Sequence, residues 1–292
     1  LASNKPTLIA PSMNVKMWEN QNTIANVLKL KEQGIHFIGP NKGEMACGEV
    51  GYGKMASVQE IKKEIDYLIK PGILTGKSAL VTSGPTIEQI DPVRFISNNS
   101  SGKQGHAIAD ALRRHGADTN LISGPVNIKD PENVKVTKVN SAEEMLHECR
   151  ESLPVNIAVF AAAVSDWRCS NTSNIKIKKT PENDELNLNL EKNQDILKEI
   201  STLNKNRPDL VIGFSLETDD LIETAKEKLK NKSCDWIVAN EHYNGKESVF
   251  DSDMNSVKLV ENDNLEDWGY LTKNDVAEKL CIKISKFFNE AA

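Results

Sequence analysis

With 292 residues, 39% of them hydrophobic and 27% charged, the chain has the composition of a globular protein with room for one large or two ordinary domains. Its net charge of −6 excludes a broad electrostatic surface for nucleic acid or anionic membrane, so an anionic ligand would need locally clustered cations. No apolar run approaches the roughly 20 residues that span a bilayer, and five scattered cysteines without a C-x-x-C pair fit reduced thiols in a cytoplasm.

The chain opens on Leu1 and reaches an apolar stretch, TLIA at 7–10, almost at once. It reads as the middle of a domain, with a strand at 7–10 and an N-terminal portion expected to be missing. A helix is predicted over 19–34, ended by Gly34, and a second strand over IHFI at 35–38. The glycine-rich NKGEMACGEVGYGKM at 41–55 reads as a loop. Ser57 and Glu60 form a capping box ahead of a helix carrying Ile61, Ile65, Leu68 and Ile69 on one stripe. Lys70-Pro71-Gly72 stops that helix and divides the chain into residues 1–70 and 71–292.

A new pattern starts at residue 79. ALVTS predicts a strand, a polar loop follows, a helix runs from about 102 to 115, and TNLISG predicts the next strand. Ser141 and Glu144 form another capping box. The apolar run 155–164 predicts a buried strand, and DLVIGFS and DWIVAN two more on either side of a Lys-rich helix. SVFD and SVKLV suggest an edge hairpin. A last helix is expected over 273–288, with Val276, Leu280, Ile284 and Phe287 inward. Strands alternating with helices predict an α/β fold with a Rossmann-like, mostly parallel sheet.

Several stretches carry candidate chemistry. In FISNNSSGKQG, Ser100, Ser101 and Gly102 lie between a strand and a helix start, where unpaired N–H groups meet anions. The same run fits an ordinary capped loop, and neither G-x-G-x-x-G nor G-x-x-x-x-G-K-[ST] is present. Arg94, four residues before Asn98, suits a two-pronged grip on a carboxylate or phosphate, or a surface pair with Asp91 or Glu88. Asp166 follows the apolar run 155–164 and suits Mg²⁺ against nucleotide phosphates, or a helix cap. Lys176, Lys178 and Lys179 in NIKIKKT are solvated cations or, opposite an Asp–metal pair, a triphosphate site, while Lys228 and Lys232 at i and i+4 share one face of a helix with acidic neighbours, a solvated helix by default. Phe214 at a strand end stacks a base or fills core. Asn14 after the first strand suits a substrate carboxylate or amide. Cys47 in its glycine-rich loop is a proton donor, a nucleophile or inert.

Taken in order, these motifs resemble the bifunctional phosphopantothenoylcysteine decarboxylase/phosphopantothenate–cysteine ligases of bacterial coenzyme A synthesis, over essentially the whole chain. PSMNVKMW and ACGEVGYGKM are similar to the decarboxylase elements P-x-M-N-x-x-M-W and A-C-G-E-x-G-x-G-[RK]-M. SGPTIEQIDPVRFISNNSSGKQG, AAAVSDW, KIKK, GFSLET and the K-x-x-x-K…D-x-I-V-A-N element resemble the ligase domain. The resemblance implies a ligase domain over 71–292, preceded over 1–70 by the C-terminal part of a flavodoxin-like, FMN-dependent decarboxylase domain. It implies CTP-dependent joining of 4′-phosphopantothenate to L-cysteine through an acyl-cytidylate, with Mg²⁺.

By the family's pattern, Asn98 would help turn over that intermediate and Arg94 would support the substrate. Lys176 would contact the triphosphate, and Asp166 would organise cation and nucleotide. Asp195, Ile196, Phe214, Lys228 and Lys232 would complete the CTP site, with backbone near Ala161 and Ala162 reading the base. Ser100, Ser101 and Gly102 would floor its phosphate side. Asn14 would grip the decarboxylase substrate and Cys47 would protonate its enethiol intermediate. The resemblance further implies a dimeric ligase module and larger assemblies of the decarboxylase part. The chain departs from the family in lacking the portion with most of the FMN site and the catalytic His, and, less severely, at Tyr52 and Ser165. Two other readings stay open: a Rossmann-type NAD(P) oxidoreductase, and a flavin- or nucleotide-binding regulatory subunit without ligase activity.

Overall fold

A computed structural model describes residues 5–45, 48–69, 72–178, 186–217, 221–241, 253–262 and 264–290. The chain divides into two compact units, Leu1–Gly72 and Ile73–Ala292.

In the first unit, β1 (Leu8–Ile9) pairs in parallel with β2 (His36–Phe37). Between them lie α1 (Val15–Trp18) and α2 (Gln21–Glu32). Asn20 caps α2 by accepting from the Asn22 N–H at 2.9 Å. The glycine-rich stretch is not a loop throughout: β3 (Asn41–Glu44) and β4 (Val50–Lys54) pair antiparallel. Glycine makes the ribbon possible, because a Cβ at Gly53 would lie 2.2 Å from the Met13 carbonyl oxygen. The expected capping box starts α3 (Val58–Ile69): the Ser57 N–H donates to Glu60 at 2.6 Å, and the Glu60 N–H to Ser57 Oγ at 3.3 Å.

The second unit is a three-layer α/β fold. It begins with β5 (Ser78–Ser83), the ribbon β6 (Ile87–Gln89) and β7 (Phe95–Ser97), then α4 (Lys103–Arg114). Next come β8 (Asp118–Ser123), β9 (Lys135–Lys138), α5 (Ala142–Glu151) and β10 (Ile157–Phe160). A second ribbon, β11 (Trp167–Cys169) with β12 (Leu190–Lys192), precedes α6 (Ile196–Ser201). Then follow β13 (Leu210–Glu217), α7 (Leu221–Lys232), β14 (Trp236–Glu241), β15 (Met254–Val260), β16 (Leu265–Thr272) and α8 (Lys273–Glu290).

Among the described residues, one sheet has the order β16-β15-β14-β13-β10-β5-β8-β9. Pairing is parallel from β14 to β9 and antiparallel at β15 and β16. The period-2 alternation of a strand sends Val81, Ile157 and Val159 to the face covered by α4 and α8. Leu80, Ala158 and Phe160 point to the face covered by α5, α6 and α7. Both faces are covered, so the central strands are apolar throughout rather than alternating.

Two local expectations are corrected. The apolar run 155–164 forms a strand only over Ile157–Phe160. Beyond it, the Ala161, Ala162 and Ala163 N–H groups donate to Thr82 O, Thr82 Oγ1 and Gly84 O. There the chain lies half-buried against the end of β5 and the loop after it. SVKLV does form one arm of an edge hairpin, but its partner is Leu265–Thr272. The proposed partner SVFD lies outside the described residues.

Candidate functional site

The strand order creates the site. From β5 the chain passes through α4 to β8 on one side, and it later returns through β10 on the other. At such a switch point the loops leaving neighbouring parallel strands diverge and open a crevice at their carboxyl ends. Here the loops after β5 and β10 are stitched together. The Ala163 N–H donates to Gly84 O at 2.9 Å, the Thr86 N–H to Ala163 O at 3.3 Å, and the Ser165 N–H to Thr86 Oγ1 at 2.9 Å. Asn98 Nδ2 closes the set by donating to Val164 O at 2.9 Å.

Two cavities lie along this edge. The first, about 210 Å³, is lined by Ser100 to Gly105, Ala161 to Ala163, Phe214 to Leu216, Asn240, Asn255 and Lys273. The second, about 240 Å³, is lined by residues including Thr82, Asp166, Lys192, Asp195, Ile196, Phe214, Lys228 and Lys232. Ala162 and Phe214 line both. Each alone is below the ~300–1,000 Å³ usual for a small-molecule site, so a nucleotide-sized ligand would need both.

The polar run is held tightly. Gly102 is the N-cap of α4 at φ 72°, a conformation that favours glycine, and no side chain caps the helix there. Its N–H donates to Ser100 Oγ at 3.3 Å. Its carbonyl accepts from Ser83 Oγ at 2.8 Å and lies 3.1 Å from His106 Nδ1. Burial, chiefly, pushes the His106 pKa down, with Lys138 adding to it, so this imidazole is a neutral structural partner of the helix start. The expected candidates Ser100, Ser101 and Gly102 thus face the same cavity as Ala161, Ala162 and Phe214.

Asp166, Asp195, Ile196, Lys228 and Lys232 come together around the second cavity. Lys232 forms an ion pair with Asp195, whose carboxylate also caps α6 at Lys198 N–H. Asp166 is exposed, and the described residues contain no cluster of three or more metal-ligating side chains. Asn193 was missed by the sequence reading. It is buried, its Nδ2 donates to Ser165 O and its N–H to Asp166 O, both at 2.8 Å, and so it fixes the turn that presents Asp166. No motif marks it.

Arg94 and Lys176 line neither cavity. Arg94 takes the surface-pair alternative with Asp91, its Nε donating to Oδ2 at 3.0 Å, while Nη2 donates to Ile177 O at 2.8 Å. The buried Asp91 also accepts from the Val93, Arg94 and Ile177 N–H groups. This knot holds the segment bearing Lys176, whose side chain is exposed. Lys179 lies outside the described residues. The Arg94 guanidinium, first of all, and then the backbone N–H groups hold the Asp91 carboxyl far below the usual range, against its burial.

A depressed carboxylate pKa stabilises the fold above its unfolded value of about 3.9, and that contribution is lost as pH falls towards the folded value. Asp91→Asn should therefore lower the urea midpoint equally at pH 7 and pH 5. The gap to wild type should narrow at pH 3. A gap that stays constant to pH 3 would remove the ionic role.

In the first unit, Asn14 Oδ1 caps α1 at the Lys16 N–H, and its Nδ2 donates to Glu49 Oε2 at 2.6 Å. Its amide is therefore shared with the glycine-rich ribbon. Cys47 lies outside the described residues.

Comparison with known proteins bears on both units. Residues 74–288 match the family model described as DNA/pantothenate metabolism flavoprotein C-terminal domain, and residues 1–70 match that of the flavoproteins. The chain is 42% identical over 261 residues to the coenzyme A biosynthesis bifunctional protein CoaBC of Haemophilus influenzae, covering 89% of this chain and 64% of that protein. It therefore spans less than two thirds of that relative. It is 36% identical to the CoaBC of Borreliella burgdorferi, covering 96% of this chain and 70% of that protein. Among solved structures, the C-terminal domain of a CoaBC superposes with a TM-score of 0.62 at 32% identity, covering 75% of this chain and 99% of that domain. The chain belongs to the DNA/pantothenate metabolism flavoprotein family, the family of the CoaBC bifunctional proteins.

Proposed function

We propose that residues 71–292 form a phosphopantothenate–cysteine ligase that uses CTP, that residues 1–70 belong to a flavin-dependent decarboxylase domain, and that the protein works in the cytoplasm. The observation that carries this reading is the pair of cavities meeting at Ala162 and Phe214. One opens on the polar start of α4, and the other gathers Lys192, Lys228 and Lys232 beside Asp166 and Asp195. Two anionic substrates can thus approach one point from opposite sides of the sheet edge.

In the first step, a carboxylate oxygen of 4′-phosphopantothenate bonds to the α-phosphorus of CTP as the bond to pyrophosphate breaks. In the second, the cysteine amine, having lost a proton, bonds to the acyl carbon, and the C–O bond to CMP breaks. No side chain needs to form a covalent bond; the task is charge neutralisation and alignment. Ser100, Ser101 and the α4 N-terminus receive the substrate phosphate. Lys228 and Lys232 receive the triphosphate, with Asp195 holding Lys232 in place before it arrives. Phe214 packs against the nucleotide, and the Ala161 and Ala162 backbone faces the base. Lys176, on the segment tied down by Arg94 and Asp91, reaches the triphosphate from outside. A lone carboxylate fits Mg²⁺, which typically combines one or two carboxylates with phosphate oxygens. Asp166 would hold the ion, which supplies charge neutralisation at the phosphates.

On the decarboxylase side, Asn14 would bind the substrate carboxylate in competition with Glu49. FMN would supply the redox chemistry there. We further assign a homodimer to the ligase unit. Phe95 on the β6–β7 ribbon, Trp167 and Leu190 on the β11–β12 ribbon, and Ile175 are all exposed apolar side chains, a grouping that suits association. A monomeric mass by light scattering at micromolar concentration would remove the dimer.

The purified chain, given 4′-phosphopantothenate, L-cysteine, Mg²⁺ and CTP, should release pyrophosphate, with CMP following only when cysteine is present. ATP in place of CTP should support much less. Folded protein that releases no pyrophosphate with either nucleotide would overturn the ligase reading.

A further inference from the structure

Three buried side-chain oxygens on the wall of the first cavity have no hydrogen-bond partner among the described residues: Ser215 Oγ, Asn240 Oδ1 and Asn255 Oδ1. They come from three adjacent strands, β13, β14 and β15. Ser215 and Asn255 are 7% and 3% exposed. Leaving one such group unpaired costs roughly 1–3 kcal/mol, so three on one wall call for a physical account.

The orientation of the Asn255 amide follows from a relay. Gln104 Nε2 donates to the Lys273 carbonyl at 3.1 Å, which turns Gln104 Oε1 towards Asn255. Asn255 Nδ2 donates to that oxygen at 3.0 Å. Its Oδ1 is therefore left as an acceptor. A wall whose amide groups offer acceptors repels phosphate and suits O–H and N–H donors. The same cavity is also lined by Ser100 to Gly105, the start of α4, which suits an anion. A ligand matching both features carries an anionic head together with hydroxyl and amide donors.

We propose that Ser215, Asn240 and Asn255 form an acceptor wall that recognises the hydroxyl and amide N–H of the phosphopantothenate chain, and so determine specificity for that substrate rather than for the nucleotide. This rests on the ligase reading for the identity of the substrate. The wall fixes the pantoyl portion in the first cavity, while the CTP triphosphate lies at Lys228 and Lys232 in the second. A substrate analogue without the secondary hydroxyl leaves a wall oxygen unpaired and binds more weakly.

The test is equilibrium binding of 4′-phosphopantothenate by calorimetry to the full chain, beside KM values for both substrates. Ser215→Ala is the cleaner variant, because Ser215 Oγ makes no hydrogen bond among the described residues that its loss would break. Asn255→Leu is the second, of similar volume. Each should weaken 4′-phosphopantothenate binding about 10-fold or more, leave KM for CTP unchanged, and leave kcat at saturation within about 2-fold. The deoxy analogue should bind wild type worse than 4′-phosphopantothenate but bind Ser215→Ala about as well as 4′-phosphopantothenate does. Unchanged binding in both variants, or a rise confined to KM for CTP, would overturn the proposal. So would failure of wild type to bind 4′-phosphopantothenate. The pyrophosphate assay reports on the ligase reading separately: binding that weakens as expected in a chain that releases no pyrophosphate would uphold the wall and overturn the ligase.

Discussion

Asn98→Asp is expected to separate the two chemical steps of the proposed reaction. Asn98 Nδ2 donates to Val164 O at 2.9 Å and ties the polar run to the loop that presents Asp166. Aspartate keeps the shape but replaces a donor with a negatively charged acceptor facing a carbonyl. In the proposed reaction it also brings negative charge near the acyl group, where negative charge develops on attack. In that reaction the Asn98 donor turns from Val164 O to the attacked acyl group, and loss of such a donor costs about 10²–10³ in rate. The expected result in rapid-quench experiments is a pyrophosphate burst close to one per chain, followed by CMP release slowed by roughly that factor. Equal slowing of burst and turnover would place Asn98 in substrate binding or in the first step instead.

The largest effect on stability is expected at Gly124→Ala. Gly124 follows β8, its N–H donates to Ser83 O at 2.9 Å, and an added Cβ would lie 1.8 Å from the Pro85 carbonyl oxygen. Both partners are backbone, so no side chain can swing aside. Overpacking usually costs about 1–3 kcal/mol, and a clash with a bridged backbone belongs at or above the upper end. For a unit of this size, ~3 kcal/mol lowers Tm by roughly 6–12 °C. Pro85 bridges Ala163, so the displacement also reaches the loop shared by the two cavities, and activity should fall below the loss of folded protein. Gly76→Asn is the control. Gly76 has φ 82° with nothing within 4 Å of a Cβ, and Asn tolerates that conformation. A control loss as large as that of Gly124→Ala would mean that strain at glycine positions in general, not this clash, is responsible.

Much of the architecture was legible because it depends on local pattern. The capping box at Ser57 and Glu60, the glycine after each helix at Gly34 and Gly116, and the apolar runs of the central strands each state a short-range preference. Legibility failed where a residue serves a distant partner. Ala161 to Ala163 look like strand but bond to the end of β5 and the loop after it. Gly51 and Gly53 look like loop but form a ribbon, because the chain near Met13 and Val15 passes within Cβ distance. Arg94 admitted two readings, and only its proximity to Asp91 and Ile177 selects one. Nothing in the residues themselves separates CTP from ATP.

The order of residues alone determined the α/β class, the break near residue 71 and the presence of a polar run ahead of a helix. These follow from hydrophobic period, capping and backbone breakers, which act over a few residues. Tertiary structure decided which candidates share a cavity, that Arg94 and Lys176 lie outside both, and that Asn193, Ser215, Asn240 and Asn255 matter at all. The last three come from separate strands and meet only because the sheet sets the carboxyl ends of β13 and β14 beside the amino end of the antiparallel β15. Whether a buried oxygen finds a partner is a property of that assembled edge, and no local preference encodes it.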